Sequence, residues 1–93
     1  MRQIEFTNAF KRDFKRESKG IYSHVLAIDF PAVVQALAAD LPLAVSKLDH
    51  ALTGEWSDHR DCHIRPDLVL IYRKPDDECL QLVRLGSHSE LGL

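Results

Sequence analysis

The chain has 93 residues, 45% of them hydrophobic and 28% charged, with a formal net charge of −2. This is too apolar for a disordered polymer and enough for one core, so a single domain over residues 1–93 is expected. No apolar run approaches the roughly 20 residues of a membrane span, the opening "MRQIEFTNAFKRDF" lacks the apolar centre of a secretory leader, and Cys62 and Cys79 are too few for a disulfide framework. A cytoplasmic protein with free thiols and no membrane partner is therefore expected.

"RQIEF" alternates and predicts a strand over residues 2–6. Thr7 can cap a helix over residues 8–18, along which Phe6, Phe10 and Phe14 recur every fourth position and mark a core stripe. Lys11, Arg12, Lys15, Arg16 and Lys19 are the cations of this segment, and residues 1–20 carry +3 although the whole chain is acidic. Such a local excess fits a polyanion contact or a solvated helix face. Gly20 ends the helix.

"GIYSHVLAI" leaves helix and strand open. "DFPAVVQALAAD" predicts a second helix over residues 29–40, with Asp29 as cap, Pro31 in the first turn and Val33, Val34, Leu37 and Ala38 as its apolar stripe. Residues 41–57 read mostly as loop.

From residue 58 the period changes to two. "HRDCHI" puts His59, Asp61 and His63 on one face and Arg60, Cys62 and Ile64 on the other. "LVLIYR", residues 68–73, is apolar on both faces and reads as a central strand. "KPDDE" is a turn, "CLQLVRLG" (79–86) a returning antiparallel strand, and "SHSELGL" a short tail. The predicted architecture is α+β, in the order β-α-α-β-β-β. Two N-terminal helices pack on one face of a mainly antiparallel four-stranded sheet.

This layout gathers polar chemistry at one rim. Asp61, His63 and Asp67 lie near Arg84 and His88 at the end of the last strand, with His50 on the loop before the sheet. A zinc site is not indicated: Cys62 points away from His63 in a strand, and no C-x-x-C pair exists. Histidines titrate near neutrality, so two of them can serve as base and acid in one step. RNA cleavage by 2′-OH attack needs such a pair plus cations for the phosphate, which Arg60, Arg65 or Arg84 could supply. A lone histidine is most often a surface or hydrogen-bonded residue, and that reading holds for His24 and His59. It is weaker for His50, His63 and His88 together.

The stretch "LDHALTGEWSDHRDCHIRPDLVLIYR" followed by "VRLGSH" resembles the YafQ branch of the RelE-like toxins of bacterial toxin–antitoxin systems. The likeness rests on Asp49-His50, Leu52, Gly54, Trp56, Arg60-Asp61, His63, Pro66-Asp67, Leu70-Ile71-Tyr72, Arg84, Gly86 and His88, and is strongest over residues 47–88. It implies a small RelE-like fold and an endoribonuclease that cuts message in the ribosomal A site by metal-independent 2′-OH attack, with no cofactor. It also implies a cognate antitoxin, mRNA and ribosomal RNA as partners, and operator DNA reached only through the antitoxin complex.

By position, the resemblance assigns catalysis to His50, His63, Asp67 and His88. His50 and His88 would form the acid–base pair, His63 and Asp67 would orient the nucleotide or share that proton traffic, and Arg84, Arg60 and Lys47 would contact RNA. Lys11, Arg12, Lys15, Arg16 and Lys19 would face the ribosome. At Gly92 the chain lacks the aromatic residue that this branch carries four positions after the last histidine, and Leu68 replaces the aromatic after Pro66-Asp67. The competing reading is a non-catalytic module of the same fold that binds its antitoxin or, like ParE-like relatives, DNA gyrase. Those relatives lack the histidine set.

Overall fold

The computed structural model describes residues 1–93. A strand β1 (Gln3–Phe6) leads into helices α1 (Asn8–Ser18) and α2 (Ser23–Ala38). A two-residue strand β2 (His50–Ala51) follows, then β3 (Arg60–Arg65), β4 (Leu68–Arg73), β5 (Cys79–Gly86) and a four-residue helix α3 (His88–Leu91). The class is α+β as expected, but the sheet has five strands in the order β1-β5-β4-β3-β2, and it is mixed because β1 runs parallel to β5. The expected four strands omitted β2, and the expected two helices omitted α3.

Local chemistry accounts for the first helix. The Thr7 hydroxyl oxygen accepts from the Phe10 amide (3.0 Å) and donates to the Val83 carbonyl (2.7 Å), so one side chain caps α1 and ties it to β5. The second helix starts six residues before the expected Asp29. "SHVLAI" is helical because Leu26 and Phe30 continue the buried stripe of Val33, Val34, Leu37 and Ala38 at helical spacing. Pro31 therefore sits inside the helix, not in its first turn. Asp29 does not cap; it pairs with Arg65 at 2.8 Å.

Both long helices cover one face of the sheet, as expected. Their contacts, Phe10, Leu26, Phe30 and Leu37, close over Cys62, Ile64, Leu68, Leu70, Tyr72, Leu80, Leu82 and Leu85. β4 is buried along its whole length except Arg73, as its two-sided apolar sequence demands. Burial pushes the Cys62 thiol up to about 12, which leaves it inert. The opposite face is smaller: Val69, Ile71 and Leu91 pack there with Leu52, Trp56 and Val83.

The β5 edge has an unusual cover. β1 pairs with β5 only through Leu82. Beyond it, α1 side chains take the place of a strand: Asp13 Oδ2 accepts from the Leu85 amide (3.0 Å), and Arg16 donates to the Leu85 carbonyl (3.1 Å). This clasp fixes the end of β5, from which α3 departs.

Candidate active site

The second face of the sheet carries the histidines. His50 on β2 lies opposite Asp61 on β3, which lies opposite Ile71 on β4, which lies opposite Arg84 on β5. The next row on the same face runs from His63 to Val69 to Gly86. Asp61 and His63 are two residues apart on one strand, so about 7 Å separates them along the face. His88 opens α3 just past Gly86, and its ring centroid stands 5.0 Å from that of His63 at an interplanar angle of 57°. Leu91, buried in the same layer, seats α3 over Val69 and Ile71.

Two of the imidazoles are oriented by their neighbours. Nδ1 of His50 is 2.8 Å from the Leu48 carbonyl oxygen. A carbonyl only accepts, so Nδ1 carries the proton and Nε2 of the neutral ring keeps its lone pair. Leu48 presents that carbonyl from a left-handed conformation (φ 51°), uncommon for a non-glycine residue. The same Nδ1 lies 3.0 Å from Asp61 Oδ1, yet its hydrogen bond goes to the carbonyl, and Oδ1 has no hydrogen-bond partner. Asp61 is 2% exposed. Burial raises its pKa, against the opposing pull of His50, His63 and His88.

On the far side, Nδ1 of His88 is 3.0 Å from Asp67 Oδ1, and the His88 backbone amide donates to the same oxygen at 3.3 Å. These bonds lower the Asp67 pKa, so the carboxylate is ionised and accepts from Nδ1–H. The two rings thus differ in what holds Nδ1: a backbone carbonyl for His50 and an ionised carboxylate for His88.

The fold brings together His50, His63, Asp67 and His88 of the expected residues, on or beside one face. It does not bring the arginines with them. Arg60 lies opposite Tyr72 on the helix-covered side and pairs with Asp49 at 3.2 Å, and that Asp49 oxygen also accepts from the Tyr72 hydroxyl at 2.6 Å. Arg84 shares the histidine face by register, but its Nε reaches over the β5 edge to Asp13 Oδ2 at 2.6 Å. Lys47 donates to the Ile64 carbonyl at 3.2 Å and has no carboxylate partner. Along α1, Lys11, Arg12, Lys15 and Lys19 are exposed, whereas Arg16 turns inward to Asp13, Glu17 and Glu90. No three His, Cys, Asp or Glu side chains converge as a metal site.

A family model described as "Bacterial toxin of type II toxin-antitoxin system, YafQ" matches residues 2–92. The chain belongs to the YafQ toxin family. The mRNA interferase toxin YafQ of Escherichia coli is 32% identical over 90 residues, covering 97% of this chain and 95% of that protein. Two solved toxin structures share the fold. One is the E. coli DinJ–YafQ complex (TM-score 0.83, 33% identity, 98% of both chains). The other is a metal-bound toxin from Helicobacter pylori (TM-score 0.83, 44% identity, 98% of this chain and 99% of that one).

Sequence reasoning placed Asp61 on the histidine face but gave it no role. The signal was its alternation with His63; what the sequence hid was its burial. The left-handed Leu48 and its carbonyl carried no sequence signal. The two departures from the family pattern have plain local causes. Gly92 adopts φ 71° as the left-handed cap of α3, a conformation that favours glycine. Leu68 is fully buried in the main core, so the change there is one of packing.

Proposed function

We propose that this chain is the toxin of a type II toxin–antitoxin pair and an endoribonuclease that cuts mRNA in the ribosomal A site without a metal ion. The observation that carries this reading is the asymmetric pair of histidines: His50 with Nε2 free as acceptor, His88 braced by an ionised Asp67. Both belong to a chain whose relatives include an E. coli mRNA interferase.

In this mechanism His50 Nε2 takes the proton of a ribose 2′-OH, and the 2′ oxygen attacks the adjacent phosphorus. The bond from phosphorus to the 5′ oxygen breaks, and His88 gives that oxygen its proton. The products are a 2′,3′-cyclic phosphate and a 5′-hydroxyl. Buried Asp61 stabilises positive charge as it develops on His50. His63, 5.0 Å from His88, orients the nucleotide. Lys47, which has no carboxylate partner, supplies the first phosphate contact, and Arg84 a second when it leaves Asp13. Lys11, Arg12, Lys15 and Lys19 lie against ribosomal RNA. A cognate antitoxin holds the chain inactive, and operator DNA is reached only through that complex; the YafQ of E. coli forms a complex with DinJ.

The test is cleavage of a defined message by purified protein, with and without translating ribosomes. Cleavage confined to the translated sample, and lost in His50→Ala and His88→Ala, supports the reading. Equal cleavage by both variants and the wild type overturns the assignment.

A further inference from the structure

The last helix is too short to hold itself. Four residues make one turn, and isolated helices of that length do not persist in water. Its position, and hence that of His88, must come from elsewhere. Leu91 supplies a buried anchor at one end. The other end is held by a chain of charged contacts outside the proposed catalytic set.

That chain starts with a capping box. The Ser87 hydroxyl oxygen accepts from the Glu90 amide at 3.1 Å, and Glu90 Oε1 accepts from the Ser87 amide at 2.9 Å. Glu90 then leaves the helix for α1: its Oε2 is 3.2 Å from Arg16 Nε. Arg16 is itself fixed by Asp13 (3.0 Å) and by the Leu85 carbonyl (3.1 Å). The fit is close. A Cβ at Gly86 would fall 3.1 Å from both the Arg16 guanidinium and Glu90 Oε1, so a larger residue there would push this contact back by a few tenths of an ångström. One carboxylate thus joins the helix start, the end of β5 and α1, two residues from His88.

We propose that Glu90 and Arg16 are positioning residues for His88. Their contact orients the first turn of α3 so that the His88 imidazole faces His63 and the reacting phosphate. The proposal rests on the catalytic reading of His88. Neither residue touches substrate. Removing the contact leaves Leu91 in its seat and lets the first turn of α3 drift, which changes the geometry of proton transfer more than substrate binding. A displacement of about 1 Å from productive geometry can cost on the order of 100-fold in rate.

The experiment compares wild type, Glu90→Ala, Glu90→Gln and His88→Ala on one message with translating ribosomes, and records the His88 ring signals by NMR. Glu90 is 40% exposed, so its replacement leaves the core intact. The expected result for Glu90→Ala is a fall in kcat of roughly tenfold or more with KM within about twofold, and shifted His88 ring signals. Glu90→Gln keeps the acceptor for the Ser87 amide but loses the charge that faces Arg16, and recovers part of the loss. Wild-type kcat in Glu90→Ala beside an inactive His88→Ala overturns the positioning role, as does a change confined to KM. If His88→Ala cleaves like wild type, the catalytic reading falls instead. The NMR then decides positioning alone: moved ring signals in Glu90→Ala support it, unmoved ones overturn it.

Discussion

Asp13 is the acid on which the β5 edge depends, and its removal should be costly. It is 3% exposed, yet it accepts from the Leu85 amide, twice from Arg84 and once from Arg16. In Asp13→Ala the Leu85 amide loses its partner inside the protein, at about 1–3 kcal/mol. The two guanidiniums are 29% and 43% exposed and can turn to water, so each lost ion pair adds only about 0.5–1 kcal/mol after screening. The total is about 2–5 kcal/mol, a large share of the roughly 5–15 kcal/mol of a domain. For a chain of this size it corresponds to a fall of roughly 10–25 °C in Tm.

The pH dependence gives a second check. Burial pushes the Asp13 pKa up, but the hydrogen bonds from Arg84, Leu85 and Arg16 outweigh it, and the net shift is downward from 3.8. A carboxylate with a depressed folded-state pKa stabilises the fold above its unfolded pKa and loses that contribution as pH falls through the folded value. Urea unfolding followed by circular dichroism should therefore show the full gap between wild type and Asp13→Ala at pH 7 and a narrower one at pH 3. A loss below about 1 kcal/mol at pH 7, or a gap that does not narrow in acid, would refute the assignment of Asp13 as the edge clasp.

Tyr72→Phe removes the 2.6 Å donor to Asp49 and should cost about 1 kcal/mol in the same unfolding assay, since Arg60 still pairs with the carboxylate. Reversing the exposed cations Lys11, Lys15 and Lys19 to Glu should change stability by less than about 0.5 kcal/mol per site. The same variant should bind ribosomes more weakly, with a flatter salt dependence in sedimentation assays; unchanged ribosome binding would remove the α1 face from the proposed contact. Chelators selective for zinc and copper should leave cleavage intact. Magnesium must remain, because the ribosome needs it. Loss of cleavage restored by zinc or copper would bring a metal into the mechanism.

Much of this architecture was legible because its signals are local. Thr7 capped the helix at residues 8–18, and the two-sided apolar run at 68–73 became the buried centre of the sheet. Pro31 misled: its fit to a first helical turn outweighed Leu26 and Phe30, whose burial extends α2 back to Ser23. β2 escaped because two residues have no period, and only pairing with β3 makes them a strand. α3 could have been read, since Ser87 and Glu90 have capping-box spacing in a segment treated as tail. The histidine constellation came from a resemblance in spacing. The partners of the cations did not, because Asp13 meets Arg84 across 71 positions of sequence, a distance that no periodic pattern spans.

The most direct measurement is primer extension on cellular mRNA after inducing this chain alone, with a His50→Ala, His88→Ala double variant as control. The expected result is cuts at in-frame codons of translated messages, absent in the control. No cuts in either strain with growth unimpaired, or identical cuts in both, would contradict it.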